Sequence, residues 1–162
     1  MVSHRPLAAL VAEHPMFEGV GADIVELLSG CARNIAFADG ARLAREGEIT
    51  HAFHLLRSGR VALEAVMPGR GRAIVQTLDA GDFVGQDWLV PPYTADFDAR
   101  AIGPVRAIAF DADCLRGKCE DDPRIGYELL KRFVPRLLDR LKTMRLQSLD
   151  LYGPPRRAPE GA

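Results

Sequence analysis

The apolar positions of the chain change period twice. Over residues 6–32 they recur at helical spacing: Leu7, Leu10 and Val11, then Ile24, Leu27, Leu28 and Cys31. His14-Pro15 and Glu18-Gly19-Val20-Gly21 interrupt the pattern, which predicts two short helices, the second with Asp23 near its positive end. From Ile35 to Phe110 the period falls to two. Short β-rich runs occupy Ala52–Arg57, Val61–Val66, Ala73–Leu78 and Val105–Phe110. Ala95–Ala101 alternates, with Ala and Phe on one face and Asp96, Asp98 and Arg100 on the other. Ser58-Gly59-Arg60 predicts a tight hairpin between the first two runs, and Met67–Arg72 a longer turn before the third. Gly40, Gly59, Gly81 and Gly103 stand 19, 22 and 22 residues apart. Each interval holds two strands and two turns, the rhythm of a folded-over antiparallel sheet such as a jelly roll.

The helical period returns after residue 110. Asp111–Lys118 predicts one short helix and Pro123–Tyr152 a long one. Pro123 suits a first turn, where the missing N–H costs nothing. Glu120, Asp121 and Asp122 complement the helix dipole, and Gly153-Pro154-Pro155 ends the element. Leu130, Val134, Leu137, Leu141, Met144, Ser148 and Leu151 follow one another at spacings of 4, 3, 4, 3, 4 and 3. Such a seam, six of its seven positions apolar, predicts a partner helix, most simply a second copy of the chain. Packing on the chain's own sheet is the alternative, with Phe133 and Leu138 beside the seam also available for that contact. Pro135 predicts a kink. Residues 153–162 read as a polar, disordered tail.

Composition narrows the class. The chain has 162 residues, 48% hydrophobic and 27% charged, as in an ordinary single domain with a sizeable core. A net charge of −1 supplies no overall field for nucleic acid or anionic membrane. No stretch is long and apolar enough to span a bilayer, and the first residues do not read as a signal peptide. Cys31, Cys114 and Cys119 are odd in number and contain no Cys-x-x-Cys, which predicts three free thiols and a cytoplasmic location.

Enzymatic chemistry is hard to place. There is no Gly-x-Ser-x-Gly elbow. Gly117-Lys118 lacks the Ser/Thr and the earlier glycine of a phosphate loop, and Gly69-x-Gly71 sits in a hairpin turn. His51 and His54 invite a metal reading of the cupin kind. Their His-x-x-His spacing sends them to opposite faces of a strand, and no histidine follows residue 54. No catalytic residue, metal or cofactor is assigned, and a metal-dependent cupin-like enzyme is the remote alternative.

The distinctive segment runs from Ala80 to Ala95, AGDFVGQDWLVPPYTA. A strand ends in glycine, a short helical turn follows, and a Pro-Pro loop leads to the next strand. Glycine and a helix start together present free backbone N–H groups, a recipe for holding an anion. The segment resembles the phosphate-binding cassette of the cyclic nucleotide-binding domain found in catabolite activator-type regulators and protein kinase A regulatory subunits. Glu46-Gly47-Glu48 resembles that family's Glu-Gly-Asp turn. Phe53–Val61 resembles its hydrophobic strand with Ser-Gly turn, and Ala80–Gly85 the strand leading to the cassette. The long helix resembles its hinge and dimer helix. The resemblance spans roughly residues 6–150. It implies a jelly-roll (double-stranded β-helix) barrel, mainly β, over about 35–110, with short N-terminal helices and a C-terminal dimer helix over about 123–152, together one domain of residues 1–152.

The same resemblance implies a ligand site at Gly85, Gln86, Asp87, Trp88, Tyr93, Thr94 and Ala95, with two departures. Gln86 replaces the family's ribose-binding Glu, keeping an acceptor but losing the charge. Tyr93 replaces its phosphate-pairing Arg, a neutral donor for a charged fork. Asp87 and Asp96 oppose a phosphate, whereas Gly85, Thr94 and Ala95 retain backbone or hydroxyl donors. Trp88, Pro91, Pro92 and Tyr93 predict an aromatic loop surface. Three readings stay open: weak binding of cAMP or cGMP, binding of another small ligand, or a ligand-free protein-interaction module. The regulators of this kind that bind DNA use a helix-turn-helix. Nothing resembling one follows Tyr152, so a stand-alone module without DNA binding is expected. The basic residues of the last helix, Lys131, Arg132, Arg136, Arg140, Lys142 and Arg145, are expected to be solvated or to meet an acidic protein partner.

Overall fold

The computed structural model describes residues 5–152; the predicted tail at 153–162 lies outside the described residues. Helices α1 (Leu7–Glu13) and α2 (Ala22–Ser29) flank a 3-10 turn at Pro15–Phe17. Strands β1 (Ala32–Phe37), β2 (Arg42–Ala44), β3 (Ala52–Met67), β4 (Gly71–Leu78), β5 (Phe83–Val84) and β6 (Asp98–Asp111) follow. A second 3-10 turn, Gln86–Trp88, interrupts them before β6, and helices α3 (Ala112–Asp121) and α4 (Pro123–Tyr152) complete the described chain. All pairings are antiparallel in the order β1-β6-β3-β4, with β2 also on β6 and β5 also on β3. The fold is mainly β with flanking helices.

β3 and β6 form a long ribbon that carries the rest of the sheet. Here the predicted hairpin at Ser58-Gly59-Arg60 is corrected: these residues lie inside one continuous 16-residue strand. The register against β6 shifts on both sides of Ser58, so the glycine marks a bulge that bends the ribbon instead of a turn that ends it. Gly59 has φ +87°, and a Cβ there would stand 2.3 Å from the Pro104 carbonyl oxygen. No other residue fits without moving the partner strand. The ribbon pairs as 52–58 with 106–111 and as 60–64 with 98–102. β1 and β5 extend the first half, and β4 and β2 the second.

The fold produces two cores. Phe53, Leu55, Phe83, Ile108 and Phe110 meet the helices through Val11, Leu28, Leu115, Ile125 and Phe133. Leu56, Val61, Leu63, Leu78, Val84 and Ala99 form the second, between strands of the folded sheet. Both faces of β3 are therefore buried at Phe53–Leu56, which explains a continuous apolar run where one-sided strands alternate.

One further expectation is overturned. Cys31 and Cys114 form a disulfide across 83 residues, with Cα atoms 5.7 Å apart, and Cys119 alone is free among the described residues. The pairing follows from the docking of α3. Asp111 N–H donates to the Cys31 carbonyl (2.9 Å), and the Asp111 carboxylate caps α3 by accepting from Cys114 N–H (2.8 Å). The Cys114 thiol thus comes over the start of β1. The argument from thiol count to a cytoplasmic location loses its premise. Asp98, on the polar side of the alternating run, is buried. It is 8% exposed, ion-paired to Arg42 and Arg72, and accepts from Glu46 N–H at 2.8 Å. Among the described residues no helix is long and apolar enough to cross a membrane.

α4 runs unbroken through Pro135. It meets the barrel with Ile125, Leu129 and Phe133, all buried. Leu130, Val134, Leu137 and Leu141 are 37–45% exposed. These four positions of the heptad seam are thus only partly covered by the chain itself.

Candidate functional site

The cassette begins where β5 ends. Gly85 takes φ +92°, and a Cβ would stand 2.7 Å from the Ala52 carbonyl oxygen, so glycine lets the chain leave β5 pressed against the start of β3. The 3-10 turn Gln86–Trp88 follows, then a cis Pro91-Pro92 bond and Tyr93 at φ 60°. The far limb is tied to the Glu46-Gly47-Glu48 turn. Gly47 N–H donates to the Ala95 carbonyl (2.9 Å), Ala95 N–H to the Glu48 carbonyl (2.9 Å) and Thr50 N–H to the Tyr93 carbonyl (2.7 Å). Asp98 holds that turn from below through Glu46 N–H. The turn and the cassette, distant in sequence, are one unit.

The predicted site residues separate into two groups. Gln86, Asp87, Tyr93 and Thr94 are half-buried, at positions where a ligand can reach them. Trp88 is 1% exposed, with ring centroids 6.3 Å from Phe53 and 6.1 Å from Phe133. Its indole anchors the cassette to the helical core, contrary to the aromatic surface predicted for it. Ala95 N–H is committed to Glu48, so the donor expected there is not free. Tyr93 stacks against Arg116 of α3, whose guanidinium lies 4.2 Å from the ring centroid. Arg116 also donates to the Trp88 carbonyl. A cation thus stands beside the position where the sequence lacks one, a residue that sequence reasoning missed because it lies 23 positions downstream.

The cassette is also wired to α4. Phe133 sits at 4.7 Å from Phe53 and 5.0 Å from Phe83, centroid to centroid. Arg136 donates to the Gly81 carbonyl (2.8 Å) and Arg140 to the Phe83 carbonyl (2.7 Å). The Arg140 guanidinium also lies 4.1 Å from the centre of the Phe83 ring. Two residues expected on a solvated basic face are therefore clasps on the strand that feeds the cassette. Sequence gave no sign of this, because the acceptors are backbone carbonyls.

Two titrations oppose one another. Burial, then the neighbouring Asp96, pushes the Asp87 carboxyl up to about 6. Burial, then Arg33, pushes His54 down to about 4. The Asp87 contribution to stability is full below its ordinary 3.8 and is lost as pH rises through about 6. The His54 contribution is full above 6.5 and is lost as pH falls through about 4. Asp87→Asn is expected to stabilise the fold at neutral pH by about 1–2 kcal/mol, allowing for partial screening. It also exposes a loss of stability on acidification that the wild type partly hides. His54→Gln acts in reverse. Urea unfolding of the three proteins at about pH 4.5 and about pH 7 checks this; parallel pH dependence in all three would contradict it.

Among the described residues no three His, Cys, Asp or Glu side chains converge as metal ligands. His51 and His54, expected on opposite strand faces, line one cavity together. His51 precedes the start of β3, so strand alternation does not govern it. His54 is 5% exposed.

Residues 34–122 match the model of the cyclic nucleotide-binding domain family. A CRP-like cAMP-activated global transcriptional regulator of Mycobacterium tuberculosis (strain H37Rv) is 26% identical over 128 residues, 79% of this chain and 57% of the relative. The chain thus spans little more than half the length of that curated relative. A cyclic nucleotide-binding domain from Methylobacillus flagellatus superposes with a TM-score of 0.75 at 19% identity, covering 89% of this chain and 81% of that one. The regulatory domain of Toxoplasma gondii PKA, crystallised with cAMP, superposes at 0.67 with 17% identity, covering 82% and 49%. The structural likenesses establish the fold. The family match extends over more than half of the sequence and takes in both the Glu46–Glu48 turn and the whole cassette: the chain belongs to the cyclic nucleotide-binding domain family.

Proposed function

We propose that the chain is a regulatory or sensor module in which a ligand at Gly85, Gln86, Asp87, Tyr93, Thr94 and Ala95 changes the position of α4. The observation that carries this reading is the clasp of Arg136 and Arg140 on Gly81 and Phe83. The cassette cannot shift its first limb without moving carbonyls that α4 holds, so a ligand favouring one cassette position also favours one α4 position. The exposed seam of α4 is the output surface, with a second copy as its partner.

The ligand in this reading is a cyclic nucleotide held weakly. Gln86 and Tyr93 supply no charge, and Ala95 has no free N–H. Arg116 offsets part of the missing positive field. An NMR titration with cAMP and with cGMP tests the coupling. Saturable shifts are expected at Gln86–Ala95 together with Phe133–Arg140. Shifts at the cassette with α4 unmoved would contradict the coupling. No shift at all with either nucleotide would favour the second reading, a protein-interaction module, which the Tyr93–Arg116 stack supports by holding the phosphate-pairing position closed.

A further inference from the structure

A cavity of about 320 Å³ opens between β1, β2 and the segment that leads into β3. It shares Ala95 with the cassette and is otherwise built from different residues. Ile35, Phe37, Leu43 and Ile49 give it an apolar wall, and the Phe37 ring meets His54 edge-on at 5.5 Å. Two of the lining residues, Thr50 and His54, each carry a buried polar atom with no partner in the protein, Thr50 Oγ1 and His54 Nδ1. Both residues are nearly closed to solvent, at 6% and 5% exposure. Buried polar atoms are almost always partnered, so two unpartnered ones on residues that line one cavity point to a missing partner.

The charges on the lining point to the class of that partner. Arg33, Arg42 and Arg45 face one carboxylate, Glu48. Arg42 is held by Asp98, but no ion pair among the described residues engages Arg33 or Arg45. We propose that this cavity is a second binding site, taking a small carboxylate with a compact apolar body. The body lies against Ile35, Phe37 and Leu43. The carboxylate accepts from the Arg33 or Arg45 guanidinium and from the Thr50 hydroxyl. His54, neutral at physiological pH, hydrogen-bonds the ligand without adding charge. The volume is at the small end of ligand pockets, which suits a single ring better than a larger molecule.

Sodium benzoate is the probe, read by the NMR signals of Thr50 and His54. Saturable shifts are expected with a dissociation constant of about 1–10 mM, whereas benzamide, the neutral isostere, gives much smaller ones. Arg33→Gln is expected to weaken binding about threefold or more, and His54→Leu about tenfold. If His54→Leu fails to fold, Thr50→Val replaces it with the same expectation. Equal response to benzamide, no saturation by about 50 mM benzoate, or undiminished binding in both cavity variants would overturn the proposal and leave water as the partner of the two atoms. Shifts at Thr50 and His54 with cAMP but not with benzoate would also overturn it. The cassette reading stands or falls separately, on signals from Gln86–Tyr93.

Discussion

Phe133→Ala is expected to lower the stability of the fold by about 3–5 kcal/mol, the usual cost of truncating a buried aromatic to alanine. The ring is 5% exposed and stands where α4, β3, β5 and the cassette converge. Its loss leaves a cavity lined by Phe53, Phe83 and Trp88, three rings too constrained by their own neighbours to close it. The effect also has a location. Arg136 and Arg140 lie one and two turns further along α4, so amide exchange in that stretch should rise more than in β3 or β6. Phe133→Leu should recover most of the loss. Denaturant unfolding and hydrogen exchange measure both. A loss below about 1 kcal/mol, or exchange rising evenly across the sheet, would mean that α4 is held mainly by other contacts.

Leu137→Glu with Leu141→Glu is expected to convert a dimer to a monomer without unfolding the barrel. The seam from Leu130 to Leu151 extends over about 30 Å of helix. Leu130, Val134, Leu137 and Leu141 are partly exposed in the monomer, so a partner that covers them offers each somewhat under half of the about 1.5–3 kcal/mol that fully burying such a side chain supplies. Ser148 is exposed and hydrogen-bonds back to the Met144 carbonyl, so the pairing should be tightest toward the Leu130 end. Light scattering at micromolar concentration should give twice the 17.7 kDa chain mass for the wild type and once for the double variant, with matching β-sheet circular dichroism. A monomeric wild type would remove the seam as an interface. Unfolding of the double variant would place these leucines in the chain's own core, against their exposure.

Much of the architecture could be read from local signals, and the exceptions share a cause. The bounds of α4 were legible because Pro123 and Gly153-Pro154-Pro155 punctuate the chain and the apolar period is long. Gly59 was correctly singled out but its meaning was not. A glycine at positive φ serves a hairpin and a bulge equally, and only the position of Pro104 on the partner strand decides between them. Cys31 and Cys114 show no pairing signal because their approach depends on how α3 docks 83 residues away. Asp98 and His54 show no sign of burial in the sequence because what covers them comes from other elements, Arg42, Arg72 and the Glu46 N–H for Asp98 and Phe37 for His54. In the cassette, Gly85 was legible as a match to a pattern, and the missing Glu and Arg as departures from it. The burial of Trp88, the commitment of Ala95 N–H and the approach of Arg116 were not, because each depends on a contact from another element.

The most direct test of the account is calorimetric titration of cAMP into the wild type and into Tyr93→Arg. The account predicts weak binding to the wild type, with a dissociation constant of about 0.1 mM or higher, because two charge-assisted contacts are absent. It predicts at least about tenfold tighter binding to Tyr93→Arg, in which one such contact is restored. Submicromolar binding to the wild type, or affinity unchanged or lowered by the substitution, would contradict the assignment of Tyr93 to the phosphate position and with it the cassette as the ligand site.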